Sequence, residues 1–321
     1  MSRIIGTGSY MPRNIVTNKD MEEVVDTTDE WIVSRTGIRQ RALATDENTG
    51  DLAYEAGLRA LEDAGIEADQ LGYIIVATIT PQSLLSSTAC YVQAKLGAVN
   101  ASCFDINAAC TGFIYGLEIA EGLFHVSDKE YALVIGAEVL SKIVDYSDRT
   151  TAVLFGDGAG AAVLTRGAGI LGISTGSDGT KGPALSTGEF KVRNFLTGEN
   201  PSDNYILMDG KEVYKFAVRI LPQVLSEAVE KAGLTLMDLD HVIPHQANLR
   251  IIDAAASRMN LPRERFYVNL DRTGNTSAAS IPIALDEMNR NGLLKSGEKV
   301  GLVGFGGGLT YGAVIIDWNK A

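Results

Sequence analysis

Ala60-Leu61-Glu62-Asp63-Ala64-Gly65-Ile66 returns, with changes, as Ala228-Val229-Glu230-Lys231-Ala232-Gly233-Leu234, an offset of 168 positions (228 − 60). At the same offset Leu71 falls on Leu239, and Ile74-Ile75 on Val242-Ile243. Each copy reads as the end of an amphipathic helix, a glycine stop, a short loop and a buried strand. Residues 131–136 (YALVIG) match 299–304 (KVGLVG), again 168 apart. Between these, Phe104-Asp105-Ile106 reads as a strand feeding Cys110-Thr111-Gly112. Tyr267-Val268-Asn269 likewise feeds Asn275-Thr276-Ser277, at an offset of 165 (275 − 110). One match is within chance. Three at nearly constant offset imply two similar halves, expected at residues 1–170 and 171–321.

Helices alternating with strands predict the α/β class with parallel-rich sheets. No Pro/Gly/Ser linker separates the halves, so one tight unit is expected. Ligands in such sheets sit beyond the carboxyl ends of strands. His245 follows the strand at Val242-Ile243. Cys110 and Asn275 take matching places, each after a strand and opening a helix. Packing about a pseudo-twofold axis would bring the three together. The two helices they open, TGFIYGLEIAEGLF from Thr111 and TSAASIPIALDEM from Thr276, are apolar enough for a buried layer. Ordinary amphipathic helices fit them less well.

Composition sets the outer limits. The chain has 321 residues, 45% hydrophobic and 21% charged, which fits a globular protein with a large core and argues against disorder. A net charge of −12 lacks the basic footprint of a nucleic-acid binder. An acidic partner would need a local basic patch. Three cysteines, Cys90, Cys103 and Cys110, do not form a disulfide framework, so a reducing compartment is expected. Residues 1–14 hold no signal-peptide core, and no apolar run is long enough for a membrane span. A cytoplasmic location is expected, with no membrane and no nucleic-acid partner.

A cysteine at a helix N-terminus gains from free backbone N–H groups and from the helix dipole, both of which favour the thiolate. Cys110 stands there among small neighbours, Ala108, Ala109 and Gly112. By itself it fits a small buried residue as well. Cys90, in a helical run, and Cys103, at a strand start, read as core. His245, in Pro244-His245-Gln246-Ala247-Asn248, stands at a strand end among polar neighbours, whereas His125 and His241 read as structural or exposed. Asn275 in Gly274-Asn275-Thr276-Ser277 is also a good turn or N-cap residue. Only the repeat lifts it.

Several motif-like stretches fail their structural tests. Gly156-Asp157-Gly158-Ala159-Gly160 leads into a strand pattern, not the helix of a dinucleotide loop. Gly172-Ile173-Ser174-Thr175-Gly176 runs into a loop, unlike a serine-hydrolase elbow. Gly304-Phe305-Gly306-Gly307-Gly308 lacks the lysine and helix of a phosphate loop. Its glycines would let backbone N–H groups approach an oxyanion. They also fit a hairpin turn. No metal-ligand spacing occurs.

Together these residues resemble the thiolase superfamily, and most closely the β-ketoacyl-acyl-carrier-protein synthase III family, the initiating condensing enzymes of bacterial type II fatty-acid synthesis. The resemblance spans essentially the whole chain. It rests on Asp29-Glu30-Trp31-Ile32, Thr36-Gly37-Ile38-Arg39, Ala109-Cys110-Thr111-Gly112, residues 155–160, His245-Gln246-Ala247-Asn248-Leu249-Arg250, Gly274-Asn275-Thr276-Ser277-Ala278 and residues 305–308, all in order. Elongating relatives carry a second histidine where this chain has Asn275. Degradative thiolases carry a second cysteine in the C-terminal glycine loop, where this chain has none. The resemblance implies a five-layered αβαβα fold and a homodimer.

It also implies a ping-pong reaction. An acyl-CoA acylates Cys110, and malonyl-acyl-carrier protein then condenses with loss of CO₂. His245 and Asn275 would stabilise the enolate, and the N–H groups of Cys110 and Gly307 would form the oxyanion hole. Trp31 and Arg149 would sandwich adenine, Arg35 and Thr27 hold phosphates, and Asn248 contact pantetheine. Arg250 would dock the carrier protein. Lys215 and Arg219, four apart on one helix face, are added to it from spacing. Acyl-CoA is substrate, and no cofactor is implied. Two positions depart from the family pattern. Lys211 replaces a common pantetheine-contacting asparagine. Leu85 stands where a partner-subunit phenylalanine often closes the acyl pocket, so branched or slightly longer primers are expected to fit. A Cys/His/Asn hydrolase and a non-catalytic acyl-CoA-binding protein remain as readings from other classes. The first leaves Trp31 and Arg149 without a use. The second predicts that Cys110→Ala is silent.

Overall fold

Two mixed sheets built to one plan carry the fold of the computed structural model, which describes residues 1–189, 191–192, 194–196 and 204–320. The first sheet holds β1 (Ser2–Tyr10), β2 (Leu71–Ala77), β3 (Ser102–Ile106), β4 (Tyr131–Glu138) and β5 (Gly158–Arg166), in the order β1-β5-β4-β2-β3. The second holds β6 (Ile170–Ser177), β7 (His241–Pro244), β8 (Glu298–Gly306) and β9 (Thr310–Trp318), in the order β6-β9-β8-β7. Pairing runs antiparallel, antiparallel, then parallel in both. The sheets are therefore mixed rather than parallel-rich, because hairpin-like returns (β8 to β9 among them) need no crossover helix. β3 has only a remnant counterpart, a single parallel bridge between Val242 and Phe266. The strand expected at Tyr267-Val268-Asn269 does not form.

Helices α1 (Asp29–Thr36), α2 (Thr49–Ala64), α3 (Thr88–Leu96), α4 (Gly112–Val126), α5 (Gly210–Lys231), α6 (Leu249–Met259) and α7 (Ser280–Arg290) complete the frame used below. α2 and α3 cover the outer face of the first sheet, and α5 and α6 that of the second. α4 and α7 lie between the sheets and touch both. This is the five-layered αβαβα thiolase fold. α2 starts at Asn48, which makes a capping box with Asp51, and stops at Gly65 in the left-handed region, φ 67°. Gly233, its repeat mate, closes the equivalent segment at φ 70°.

The middle layer explains the two apolar stretches. Phe113, Ile114 and Leu117 of α4 join Ile281, Leu285 and Met288 of α7 in one cluster with Ile75 and Val134 of the first sheet and Leu302 and Val314 of the second. Burial of each such side chain contributes roughly 1.5–3 kcal/mol. The N-terminal turns of both helices are largely buried between the sheets, and exposure is confined to the C-terminal ends, at Gly122, His125 and Val126 of α4 and Arg290 of α7. Cys103 is half-buried, but Cys90 on α3 is exposed and is not core. The helix shows that position to solvent while Ala89 and Val92 face inward.

Candidate active site

The turn into each central helix has an unusual backbone. Ala109 has φ 45° and Ser277 φ 49°, a left-handed conformation that side chains rarely adopt. Each is held by an asparagine two residues earlier. Asn107 Oδ1 accepts from Ala109 N–H at 3.3 Å, and Asn275 Oδ1 from Ser277 N–H at 2.9 Å. Ala109 and Ser277 are 168 apart (277 − 109), as are Asn107 and Asn275. The repeat therefore keeps one register, and the offset of 165 is corrected. Asn275 answers to Asn107, and Cys110 answers to Ala278. The two chemically interesting residues occupy different steps of the same turn.

Cys110 lies in the short turn Ala109–Thr111 ahead of α4, and that turn packs against the opposite turn Ser277–Ala279. Asn275 is fixed by its backbone. Its N–H donates to Leu154 O at 2.9 Å, and its carbonyl accepts from Gly156 N–H at 3.0 Å. With Oδ1 engaged by Ser277, the Nδ2 amide is the end left to donate. His245 follows β7, its N–H tied to Val303 O at 2.8 Å and its ring edge-on to Phe305 at 5.6 Å between centroids. Ser280, the first residue of α7, holds His245 Nδ1 at 2.7 Å. Ser280 Oγ also accepts from Gln246 N–H at 3.4 Å, and a Ser280 hydroxyl that donates to Nδ1 would leave the ring proton on Nε2. Residues 275–280 thus hold Asn275 and His245 by hydrogen bonds and pack against the turn of Cys110, and all three side chains are buried.

Burial sets the charge state. It pushes the Cys110 thiol up to about 12, with the hydrogen bond from Ser277 offsetting part of the rise. The expectation of a lowered thiol pKa is corrected: lost hydration raises it. Burial also lowers His245 to about 3. The resting site therefore holds a neutral thiol and a neutral imidazole.

The glycine loop packs under the cysteine. A Cβ on Gly306 would stand 2.6 Å from Cys110 N and 3.2 Å from Cys110 Cβ, and one on Gly307 would stand 3.5 Å from Ala109 Cβ. Gly306→Ala should therefore displace the Cys110 turn. Overpacking of this kind costs about 1–3 kcal/mol. The expected result is a folded protein of lower melting temperature that no longer forms an acyl adduct, read by thermal denaturation and intact-protein mass.

A cleft of about 1030 Å³ opens nearby, with Trp31, Arg35, Thr150, Met208, Lys211 and Asn248 among its walls. Leu154 lines it and also accepts the Asn275 N–H, which connects the cleft wall to the polar cluster. At its mouth the Arg149 guanidinium lies 5.1 Å over the Trp31 ring, a cation–π pair. Arg149 also donates to Asp26 O at 3.1 Å, next to Thr27, whose buried Oγ1 has no partner. Asn248 is already engaged: Oδ1 caps α6 through Arg250 N–H at 2.9 Å, and Nδ2 donates to Arg35 O at 3.0 Å. Arg250, Lys215 and Arg219 are exposed, although Lys215 is paired with Glu212 at 2.7 Å. Leu85 lies away from the cleft, 96% exposed with Leu84 on the loop after β2. Ser277, Ser280 and Glu138 were missed by sequence reasoning. The polar residues in the apolar run TSAASIPI and the acid ending the buried strand YALVIGAE were the signals available.

Family models described as 3-oxoacyl-[acyl-carrier-protein (ACP)] synthase III and its C-terminal part match residues 104–179 and 229–318. The β-ketoacyl-[acyl-carrier-protein] synthase III of Clostridium acetobutylicum is 50% identical over 320 residues, 99% of this chain and 98% of that one. The crystal structure of the synthase III of Thermus thermophilus superposes with a TM-score of 0.93 at 46% identity, covering 99% of this chain and 100% of the other. The priming β-ketosynthase of the R1128 polyketide pathway gives 0.93 at 38% identity, covering 100% and 97%. No helix among the described residues is long and apolar enough to cross a membrane. With its two-sheet core and the cluster at residues 107–110, 245 and 275–280, the chain belongs to the 3-oxoacyl-[acyl-carrier-protein] synthase III family.

Proposed function

We infer that this chain is the initiating condensing enzyme of fatty-acid synthesis, an acyltransferase that joins an acyl-CoA primer to malonyl-acyl-carrier protein and releases CoA and CO₂. The observation that supports the mechanism is that Ser280 holds His245 at Nδ1 and Ser277 N–H holds Asn275 at Oδ1, which leaves Nε2 and Nδ2 as the ends to serve as donors, with Cys110 also buried. In the first half-reaction Cys110 Sγ attacks the thioester carbonyl, the C–S bond to CoA breaks and an acyl-cysteine remains. The N–H groups of Cys110 and Gly307 receive the oxyanion. In the second, the malonyl group loses CO₂, and His245 and Asn275 donate to the enolate oxygen. The enolate carbon attacks the acyl group, and the Cys110 thiolate leaves. A neutral donor suits this step, because an imidazolium would protonate the enolate. Fixed donors in a dry site are worth ~3 kcal/mol each.

The cleft is read as the CoA channel, with adenine between Trp31 and Arg149, phosphates at Arg35 and Thr27, and pantetheine passing Asn248 and Lys211. Arg250, with Lys215 and Arg219, is read as the docking patch for an acidic carrier protein. We assign the exposed Leu84-Leu85 loop to a homodimer contact, with Leu85 closing the partner's acyl pocket, and place the reaction in the cytoplasm without a cofactor. A leucine there predicts that isobutyryl-CoA is used within about tenfold of acetyl-CoA, the low end of what a single methylene contact is worth. Turnover of both primers with malonyl-acyl-carrier protein, followed by 3-oxoacyl product, tests this. Product from acetyl-CoA alone would refute the pocket reading. Free acid without carrier protein would refute the condensing one.

A further inference from the structure

Two hydroxyls from opposite halves meet beside the turn of Cys110. Thr310, the first residue of β9, places Oγ1 2.6 Å from Thr111 Oγ1 and 2.9 Å from Ala108 O. It also lies 3.2 Å from Gly307 O in its own segment. Thr111 Oγ1 is in turn 2.6 Å from Ala108 O. Two oxygens at 2.6 Å need a hydrogen between them, so one hydroxyl donates to the other, and the second hydrogen reaches a carbonyl, Ala108 O or Gly307 O. Ala108 and Thr111 bracket Cys110, and Thr310 directly follows the glycine loop. No backbone hydrogen bond among the described residues joins residues 108–112 to residues 304–310. Among those residues, the hydrogen bonds between the two segments run through Thr310 Oγ1.

The two halves differ here. Thr111 answers to Ala279 at the offset of 168 (279 − 111). Thr310 opens β9 opposite Gly306, as Gly158 opens β5 opposite Glu138. The equivalent pair, Gly158 and Ala279, has no hydroxyl. The Asn275 turn is tied in another way, by Ser277 Oγ, which donates to Glu138 Oε1 at 3.1 Å. The threonine pair therefore belongs to the turn of the nucleophile and is not a requirement of the repeated fold.

Building on the acyl-Cys110 reading and its two oxyanion donors, we propose that Thr310 is a positioning residue: bonded to Thr111 and Ala108, it sets the Gly307 N–H against the Cys110 N–H. These donors stand 197 positions apart (307 − 110) and must converge on one oxygen. Such donors work only from a fixed place near the oxyanion, and a misplacement of ~1 Å costs on the order of 10²-fold. Threonine suits the task because branching at Cβ restricts its rotation, so Oγ1 stays where β9 puts it. The donors for the enolate are held elsewhere, His245 by Ser280 and Asn275 by Ser277, Leu154 and Gly156.

The test is Thr310→Val, which keeps the shape and loses the hydroxyl, with Thr310→Ser and Thr111→Val beside it. In Thr310→Val the Thr111 hydroxyl keeps Ala108 O as its acceptor, so no buried hydrogen is stranded. Single-turnover acetyl transfer, read by intact-protein mass over a range of acetyl-CoA concentrations, should fall about tenfold at saturation, less than the ~10²–10³ that loss of a whole donor costs. The half-saturating concentration should hold, and CO₂ release from malonyl-acyl-carrier protein should stay at the wild-type rate. Thr310→Ser should recover most of the acylation. Thr111→Val should match Thr310→Val, and the double variant should be no slower than either. Acylation by Thr310→Val at the wild-type rate would overturn the proposal. So would equal losses of acylation and CO₂ release, or a serine variant as slow as the valine one. If Thr310→Val does not fold, Thr111→Val breaks the same bond from the other side and is judged by the same readings. If wild type takes no acyl group from any acyl-CoA, the functional reading falls and this one with it.

Discussion

Cys110→Ala should form no acyl adduct with any acyl-CoA and should lose condensation by on the order of 10⁴-fold or more, since the covalent route is closed. The side chain is buried and neutral, so removing it leaves no stranded charge or unpaired amide. The fold should survive with a modest loss from the small cavity. His245, Ser280 and Asn275 keep their hydrogen bonds, because none of these runs through Sγ. The variant should therefore still release CO₂ from malonyl-acyl-carrier protein. That separates two half-reactions that share one small space: one needs a nucleophile and the other needs only donors. Parallel assays of CO₂ release and 3-oxoacyl product check it. An inert, misfolded variant would show neither, and circular dichroism identifies that case.

Asn275→Asp carries the second large effect, and here the loss should fall on the other half-reaction. The substitution keeps the shape and the oxygen that accepts from Ser277 N–H. It replaces the Nδ2 donor with a second oxygen. One hydrogen bond to the enolate, worth ~3 kcal/mol, is lost. When ionised, the carboxylate also repels the forming negative charge, by up to about 4 kcal/mol at close range. Decarboxylation should drop by at least about 10³-fold, with acylation of Cys110 reduced far less. Rapid-quench measurement of each step separates the two. Equal loss in both steps would mean that the residue shapes the turn rather than the enolate site.

Much of this organisation can be read from the chain. The constant spacing of ALEDAGI and AVEKAGL, and of YALVIG and KVGLVG, marks two equivalent sheets, because a buried strand and a glycine-stopped helix leave strong local patterns. The apolar runs after Cys110 and Asn275 announce the central layer for the same reason. The match between Cys110 and Asn275 themselves was off by three residues. It followed chemistry, whereas the conserved feature of the turn is backbone: an asparagine, then a residue at positive φ. Cys90 turned out exposed because helical periodicity alone does not say which face of the short α3 meets solvent. The thiol's neutrality was hidden for a related reason. A helix N-terminus is local and visible in sequence, but the burial of Cys110 comes in part from the far half, where Gly306 packs against its backbone and Cβ. Ser280 and Glu138 act through contacts 35 and 139 positions along the chain, where no local motif points.

Both half-reactions depend on an acyl group that sits on Cys110 and then leaves as product. Wild-type protein would be pulsed with labelled acetyl-CoA, freed of CoA, digested for peptide mass and, in a second portion, chased with malonyl-acyl-carrier protein. The predicted result is one acetyl group on the peptide that contains Cys110, lost in the chase as labelled 3-oxoacyl-carrier protein appears. Label on another residue, or label that stays on the protein while product forms, would contradict it.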